Sequence, residues 1–188
     1  MYKPIRVLLT IAVVAVAGCG GMGTTKFFHP EFDFGYTERV AVIPFENLSN
    51  DQGAGARASR MFVAELLSTE AFDVVEPGEV AKALGQINLV RTADLDQEQA
   101  RTLGRNLGVQ ALFLGSVGES GTMRSGGGQV NVVTMTVRMV ETDSGVTVWS
   151  ATSTADSKSF WSALFGTGGQ SPGEVMRSCV HTCVESLF

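Results

Sequence analysis

The chain is poor in the side chains that carry most enzyme chemistry. Its 188 residues include two histidines, His29 and His181, and three cysteines. So few imidazoles give little support to a serine or cysteine triad, in which a histidine takes the proton from the nucleophile. Positive charge is scarce as well: 14 Lys and Arg stand against 19 Asp and Glu, a formal net charge of −5. A mixed, acidic chain argues against nucleic acid as a partner, because phosphate backbones reward basic patches. It argues equally against purely electrostatic binding to anionic lipid. The N-terminal apolar run, residues 7–17, is broken by Thr10 and ended by Gly18. A spanning helix needs roughly 20 apolar residues to cross ~30 Å of hydrocarbon, so this run is too short to be one.

That run has a different meaning. Lys3 and Arg6 precede it, and Gly18 and Cys19 follow it. A basic start, a short apolar core and a small residue at the cut are the layout of a secretory signal peptide. Val16-Ala17-Gly18-Cys19 resembles the bacterial lipobox. In that motif the cysteine thiol takes a diacylglycerol and becomes the new N-terminus. Each buried CH₂ contributes about 0.8 kcal/mol, and two or more chains hold stably. The expected division is a signal peptide over 1–18, a lipidated tether and aromatic strap over 19–38, and one domain over 39–188. Cleavage removes two basic residues and leaves a charge of −7 on 170 residues, a size that suits one self-supporting core. Only Cys179 and Cys183 then remain, too few for a disulfide framework.

Residues 20–25 are small and polar and read as a flexible tether. Phe27, Phe28, Phe32, Phe34 and Tyr36 then crowd around Pro30. Left in water they would form a large apolar patch, so they are expected either to strap onto their own domain or to meet a neighbouring subunit. Val40-Ala41-Val42-Ile43 is a short apolar run of the kind that fills a buried strand. Residues 47–55 read as a loop, and 56–68 as a helix with Ala58, Phe62 and Leu66 on one face. A strand over 72–75 leads to Pro77, a residue suited to a first helical position. Asp96 and Gln99 resemble a capping box for a helix striped with Ala100, Leu103 and Leu107, and Gly108 is a natural stop. Strands follow over 111–117, 130–140 and 146–152. In the second of these Val133, Met135, Val137 and Met139 share one face while Thr134, Thr136 and Arg138 share the other. Residues 121–129 read as a Gly-Ser linker, 155–171 as irregular except for Phe160, Trp161, Leu164 and Phe165, and 172–187 as a closing helix. Early alternation favours parallel strands with right-handed crossovers, and the late hairpin adds antiparallel ones. The expected fold is α/β: a single domain with a five-stranded mixed sheet covered by helices.

No catalytic constellation stands out. Glu46 and Asp51 sit among turn residues and make no clear acid–base pair. Ser125-Gly126-Gly127-Gly128 has no following Lys-Ser or Lys-Thr and leads into a strand, so it is not a phosphate loop. Cys179-Val180-His181-Thr182-Cys183 puts two thiols one helical turn apart, but His181 points about 200° away from Cys179. Four ligands for structural zinc cannot be gathered there, and the thiols fit core packing on the stripe with Val175 and Leu187. No metal, no cofactor and no enzymatic activity are expected.

Several stretches taken together resemble a known family. They are Val40-Ala41-Val42-Ile43-Pro44-Phe45 with Asn47, Ala64-Glu65-Leu66-Leu67, Phe72-Asp73-Val74-Val75-Glu76, Leu107-Gly108-Val109-Gln110-Ala111, Leu114-Gly115-Ser116-Val117, and Val137-Arg138-Met139-Val140-Glu141-Thr142 before Ser144-Gly145. In this order and spacing they resemble the curli production assembly/transport component (CsgG) family. That family's small lipoprotein relatives include the penicillin-binding-protein activator LpoB and the N-terminal domain of TolB. The resemblance implies a lipid-anchored domain at the outer membrane, facing the periplasm and working through envelope proteins and as a homo-oligomer. Its alternative implication is an activator of a cell-wall synthesis enzyme. Curli proteins carry two long inserts that become membrane hairpins; the matching places here, near 121–129 and 155–171, are shorter than the roughly twenty residues plus turn that a membrane hairpin needs. The expected functional residues are Cys19 for the lipid, with Phe27, Phe28, Phe32, Phe34, Tyr36, Phe160, Trp161 and Phe165 as contact surface.

Overall fold

The computed structural model describes residues 24–188 except 88, 90, 93–94, 126–127 and 158–168. Its centre is one mixed sheet of seven strands in the order β1-β7-β6-β5-β2-β4, with β3 pairing β5 beside that path. The strands are β1 (Thr25–Phe28), β2 (Arg39–Val42), β3 (Glu46–Asn47), β4 (Asp73–Val74), β5 (Ala111–Ser125), β6 (Gly128–Glu141) and β7 (Thr147–Asp156). The helices are α1 (Ala54–Thr69), α2 (Pro77–Leu84), α3 (Gln97–Leu107) and α4 (Pro172–Glu185).

The α/β class and the mixed sheet agree with the sequence reading, but the count of five strands was two short. The additional strands are β1, at the edge, and β3, two residues inside the expected 47–55 loop and its border. Both are short, so neither shows the alternation that marks longer strands. Thr25, expected in the tether, opens β1. Of the expected linker over 121–129, residues 121–125 and 128–129 are strand instead: β5 and β6 pair without a break from Glu119↔Thr134 to Ser125↔Gly128. Backbone hydrogen bonds hold this stretch, and they leave no trace in side-chain periodicity. Likewise β7 runs on through Asp156, beyond its expected end.

The sheet has two unlike halves. In the parallel half, β2 and the start of β5 are buried on both faces, which their continuous apolar runs require, while β4 is a short edge strand with Asp73 exposed and Val74 half-buried. On one face Val40, Val42, Phe45 and Phe113 pack against Ala58, Phe62 and Leu66 of α1. On the other, Ala41, Ile43, Leu112 and Leu114 pack against Val80 and Ala83 of α2 and Ala100, Leu103 and Leu107 of α3. In the antiparallel half, Val133, Met135, Val137 and Met139 of β6 and Trp149 and Ala151 of β7 face α4. Their outward neighbours include Thr134, Thr136 and Arg138 on β6 and Ser150, Thr152 and Thr154 on β7. Rings continue across both halves: Phe45–Phe62 and Phe62–Phe113 centroids lie 5.3 Å apart, and Phe113–Trp149 6.1 Å.

The helix ends follow the local chemistry. Asp96 and Gln99 form the expected capping box of α3, and Gly108 at its end is left-handed with φ 63°. Ser171 and Glu174 form a second box at α4, with Pro172 beside it. No helix among the described residues is long and apolar enough to cross a membrane.

Candidate interaction surface

The aromatic strap divides in two. β1 pairs antiparallel with β7, Thr25 opposite Thr152 and Phe28 opposite Trp149. The His29 N–H continues the ladder to the Val148 carbonyl at 2.8 Å. The chain then crosses the sheet end through a 3₁₀ turn, Phe34–Tyr36, started by Asp33, whose carboxylate accepts from the Gly35 N–H at 2.9 Å. Phe32 and Phe34 pack edge to face, 4.8 Å between centroids, and lie half-buried against the core. Phe28 meets Phe34 at 5.6 Å. Phe27 and Phe28 stay 48% and 38% exposed, and Tyr36 80%. The strap therefore packs on its own domain through two rings and presents three to the outside. Cys19, Phe160, Trp161 and Phe165 lie outside the described residues.

The outer face of the antiparallel half is a field of hydroxyls. Thr134 and Thr154 lie 3.1 Å apart, Thr136 and Thr152 3.0 Å, and Thr134 donates to Glu119 at 3.0 Å. At the far end, the β5–β6 hairpin outruns β7, whose last rung is Val132↔Asp156. The overhang on β6 is only Gly128 to Asn131.

Two polar clusters were not legible in the sequence. Asp51 accepts from Ser120 Oγ at 2.7 Å and pairs with Arg57, tying the loop before α1 to the hairpin. The Ser120 hydrogen bond, then Arg57, hold its carboxyl below the ordinary aspartate value. His181 on α4 bridges Glu65 on α1 through Nδ1 at 2.6 Å and Glu185 through Nε2 at 3.1 Å. The hydrogen bond to Glu65 raises its pKa. Only the i, i+4 half of this bridge has a sequence signal; Glu65 lies 116 residues away. His181 thus points away from the thiols, as its helical position requires. Cys179 and Cys183 are fully buried, and Cys179 Sγ lies 3.3 Å from the Ser153 carbonyl. Burial raises both thiols, Cys183 to about 12, so they stay protonated and unreactive at neutral pH. Among the described residues no three His, Cys, Asp or Glu side chains gather as metal ligands. Glu46 pairs with Arg91 at 3.2 Å and does not face Asp51 as an acid–base partner.

Comparison with known proteins fits this architecture. The family model of the curli production assembly/transport component CsgG matches residues 35–188. The fold is similar to the PelC dodecamer from Paraburkholderia phytofirmans, with TM-score 0.56 and 17% identity, over 86% of this chain and 96% of that one. It is similar to lipoprotein GNA1162 from Neisseria meningitidis, with TM-score 0.58 and 20% identity, over 80% of this chain and 97% of that one. Escherichia coli LpoB is more distant, with TM-score 0.50 and 21% identity, over 64% of this chain and 59% of that one. A search of curated protein sequences gives no match. With the family model covering everything from the 3₁₀ turn to the last residue, and the expected parallel-then-antiparallel sheet in place, the chain belongs to the CsgG family.

Proposed function

We propose that this protein is a non-enzymatic lipoprotein of the cell envelope, anchored by lipid at Cys19 to the outer membrane and facing the periplasm. It works by protein contact, as a homo-oligomer, in envelope assembly or the secretion of surface material. The observation that carries the reading is the family match over 35–188, joined to the lipobox-like Val16-Ala17-Gly18-Cys19. Gly20 after Cys19, in place of an aspartate, favours release to the outer membrane. The PelC fold is seen as a dodecamer, and the exposed Phe27, Phe28 and Tyr36 supply apolar surface for a like assembly here.

The chain does not build a membrane pore alone. A membrane strand needs about 9–11 residues, and the β6 overhang from Gly128 to Asn131 falls far short. The six steps from Cys19 to Thr25 reach about 20 Å even fully extended, so the anchor would keep the domain close to the bilayer.

Mass spectrometry of the protein from its native host tests the anchor: an acylated N-terminal Cys19 is expected, and an unmodified full-length chain free of the membrane sinks it. Sedimentation analysis tests the assembly, and a strictly monomeric profile counts against it. Crosslinking in native envelopes separates the alternative suggested by the LpoB likeness. A cell-wall synthase as the main capture favours an activator; self-association with a secretion channel favours export.

A further inference from the structure

One groove goes beyond this reading and does not depend on the anchor. It lies at the end of the sheet where β2 and β4 begin, between the strap and the last turns of α1 and α4. Its volume is about 570 Å³ and its lining includes Phe34, Glu38, Glu70, Phe72, Leu187 and Phe188. That volume falls in the range of ligand clefts. The floor is apolar: Leu187 is buried, Phe34 and Phe72 are half-buried, and the Phe72 ring lies 6.3 Å from Phe188. Phe188 itself is 67% exposed, so the groove has an aromatic wall with one side open.

The charged residues that line it, Glu38, Glu70 and Asp73, are all acidic. Asp73 at the rim is neutralised by Arg39 at 3.1 Å. Glu38 and Glu70 are exposed, and among the described residues neither carboxylate has a hydrogen-bond or ion-pair partner. Both α1 and α4 end here with no basic residue in the last turn. The negative ends of two helix dipoles therefore add to the two carboxylates.

Glu70 is the telling residue. It is the only non-glycine with positive φ among the described residues, at 54°, in the left-handed position that follows α1. Glycine is the residue that fits such a helix end without strain. A glutamate there is unfavourable twice, through its Cβ and through its charge beside the negative end of the helix. A local conflict of this kind points to use of the side chain for something other than folding.

The geometry points to a docking groove for an extended segment of a partner protein in which an apolar side chain is flanked by Arg or Lys. The apolar side chain enters between Phe34, Phe72 and Phe188, and the flanking cations meet Glu38 and Glu70. An arginine would also stack on the open Phe188 ring.

The test uses the full chain purified from its host and a fluorescein-labelled pentapeptide amide, Gly-Arg-Leu-Lys-Gly, with Gly-Glu-Leu-Glu-Gly as its charge-reversed control. Fluorescence anisotropy is expected to show saturable binding of the basic peptide that weakens with salt, and none of the control. Glu70→Gly is expected to weaken binding about tenfold, the size of a lost charge-assisted hydrogen bond. The same substitution relieves the backbone and should raise Tm by about 2–4 °C. Opposite signs from one change separate a recognition residue from a structural one. Phe188→Ala should weaken binding with Tm unchanged. The proposal is overturned by no saturable binding at millimolar peptide, by equal binding of the control, or by unchanged affinity of Glu70→Gly. It is also overturned if Glu70→Gly or Phe188→Ala shifts the sedimentation of the chain itself, since the groove would then be occupied by a second copy.

Discussion

The two halves of the sheet are built from the same kinds of residue and arranged for different ends. In the parallel half, β2 and the start of β5 are covered on both faces, by α1 and by α2 with α3. In the antiparallel half, β6 and β7 have α4 on one face and threonine and serine hydroxyls on the other. Burial on both faces yields stability and leaves no open sheet face. Burial on one face leaves a wide polar surface and an edge strand, β1, that carries exposed aromatics. The contrast teaches that two-sided burial and an open polar face are assigned to opposite sides of one continuous sheet.

The sharpest way to break the contrast is to damage each side equally in size. Phe113 is fully buried and its ring meets Phe62 at 5.3 Å, with Phe72 and Trp149 at 6.1 Å. Phe113→Ala should cost about 3–5 kcal/mol through lost transfer energy and an unfilled cavity, a large part of a typical domain's stability. Phe27→Ala, at a 48% exposed position on β1, should stay within about 0.5 kcal/mol while reducing self-association. Urea denaturation and sedimentation of the two variants check both claims. Equal losses of stability would erase the distinction between the halves.

A smaller effect is expected where the halves are joined. On α3, a Cβ added at Gly104 would lie 2.4 Å from the Thr142 Cβ. Thr142 is buried and its hydroxyl donates to the Val109 carbonyl at 2.8 Å, so it has little freedom to withdraw. Gly104→Ala should therefore destabilise by about 1–3 kcal/mol through overpacking. An intrinsic gain from replacing helical glycine, about 1 kcal/mol, works against this. A net increase in Tm would show that α3 lifts off the turn at no cost.

Much of this arrangement was legible because burial writes itself into side-chain order. Leu112-Phe113-Leu114 is a continuous run because both faces of β5 are covered there. Val133 to Met139 alternates because only one face of β6 is. Asp96, Gln99 and Gly108 marked the ends of α3 through capping chemistry that is local in sequence. What escaped is held by backbone or by distance. β1 is an edge strand of four residues, all exposed. Residues 121–125 and 128–129 pair through main-chain groups that every sequence possesses. The rim of the groove brings Glu38, Glu70 and Phe188 together from three distant stretches, and Glu70 shows its oddity only through a backbone angle. The strap's expected contact residues were legible as greasy spots, but their division into half-buried Phe32 and Phe34 and exposed Phe27, Phe28 and Tyr36 required the crossing of the strap over the sheet end.

The smallest expected effect tests how the two halves are fastened. α1 covers the parallel side of the shared face and α4 the antiparallel side. His181 spans the seam between them to Glu65. Its pKa is raised above 6.5, first by the Glu65 hydrogen bond; burial opposes this as the next-largest effect, and the charges of Glu185 and Glu65 add to the rise. A raised histidine stabilises the fold fully below its unfolded pKa, and the contribution disappears as pH rises through the folded value. His181 is 52% exposed, so solvent screening limits the gain to about 0–1 kcal/mol. Urea midpoints of the protein and of His181→Gln, measured from about pH 5.5 to pH 9, should differ most at the acid end and converge at the alkaline end. The acid-end difference should shrink in high salt. A difference that grows with pH, or holds constant across the range, would mean that apolar packing of α1 against α4 alone closes the seam.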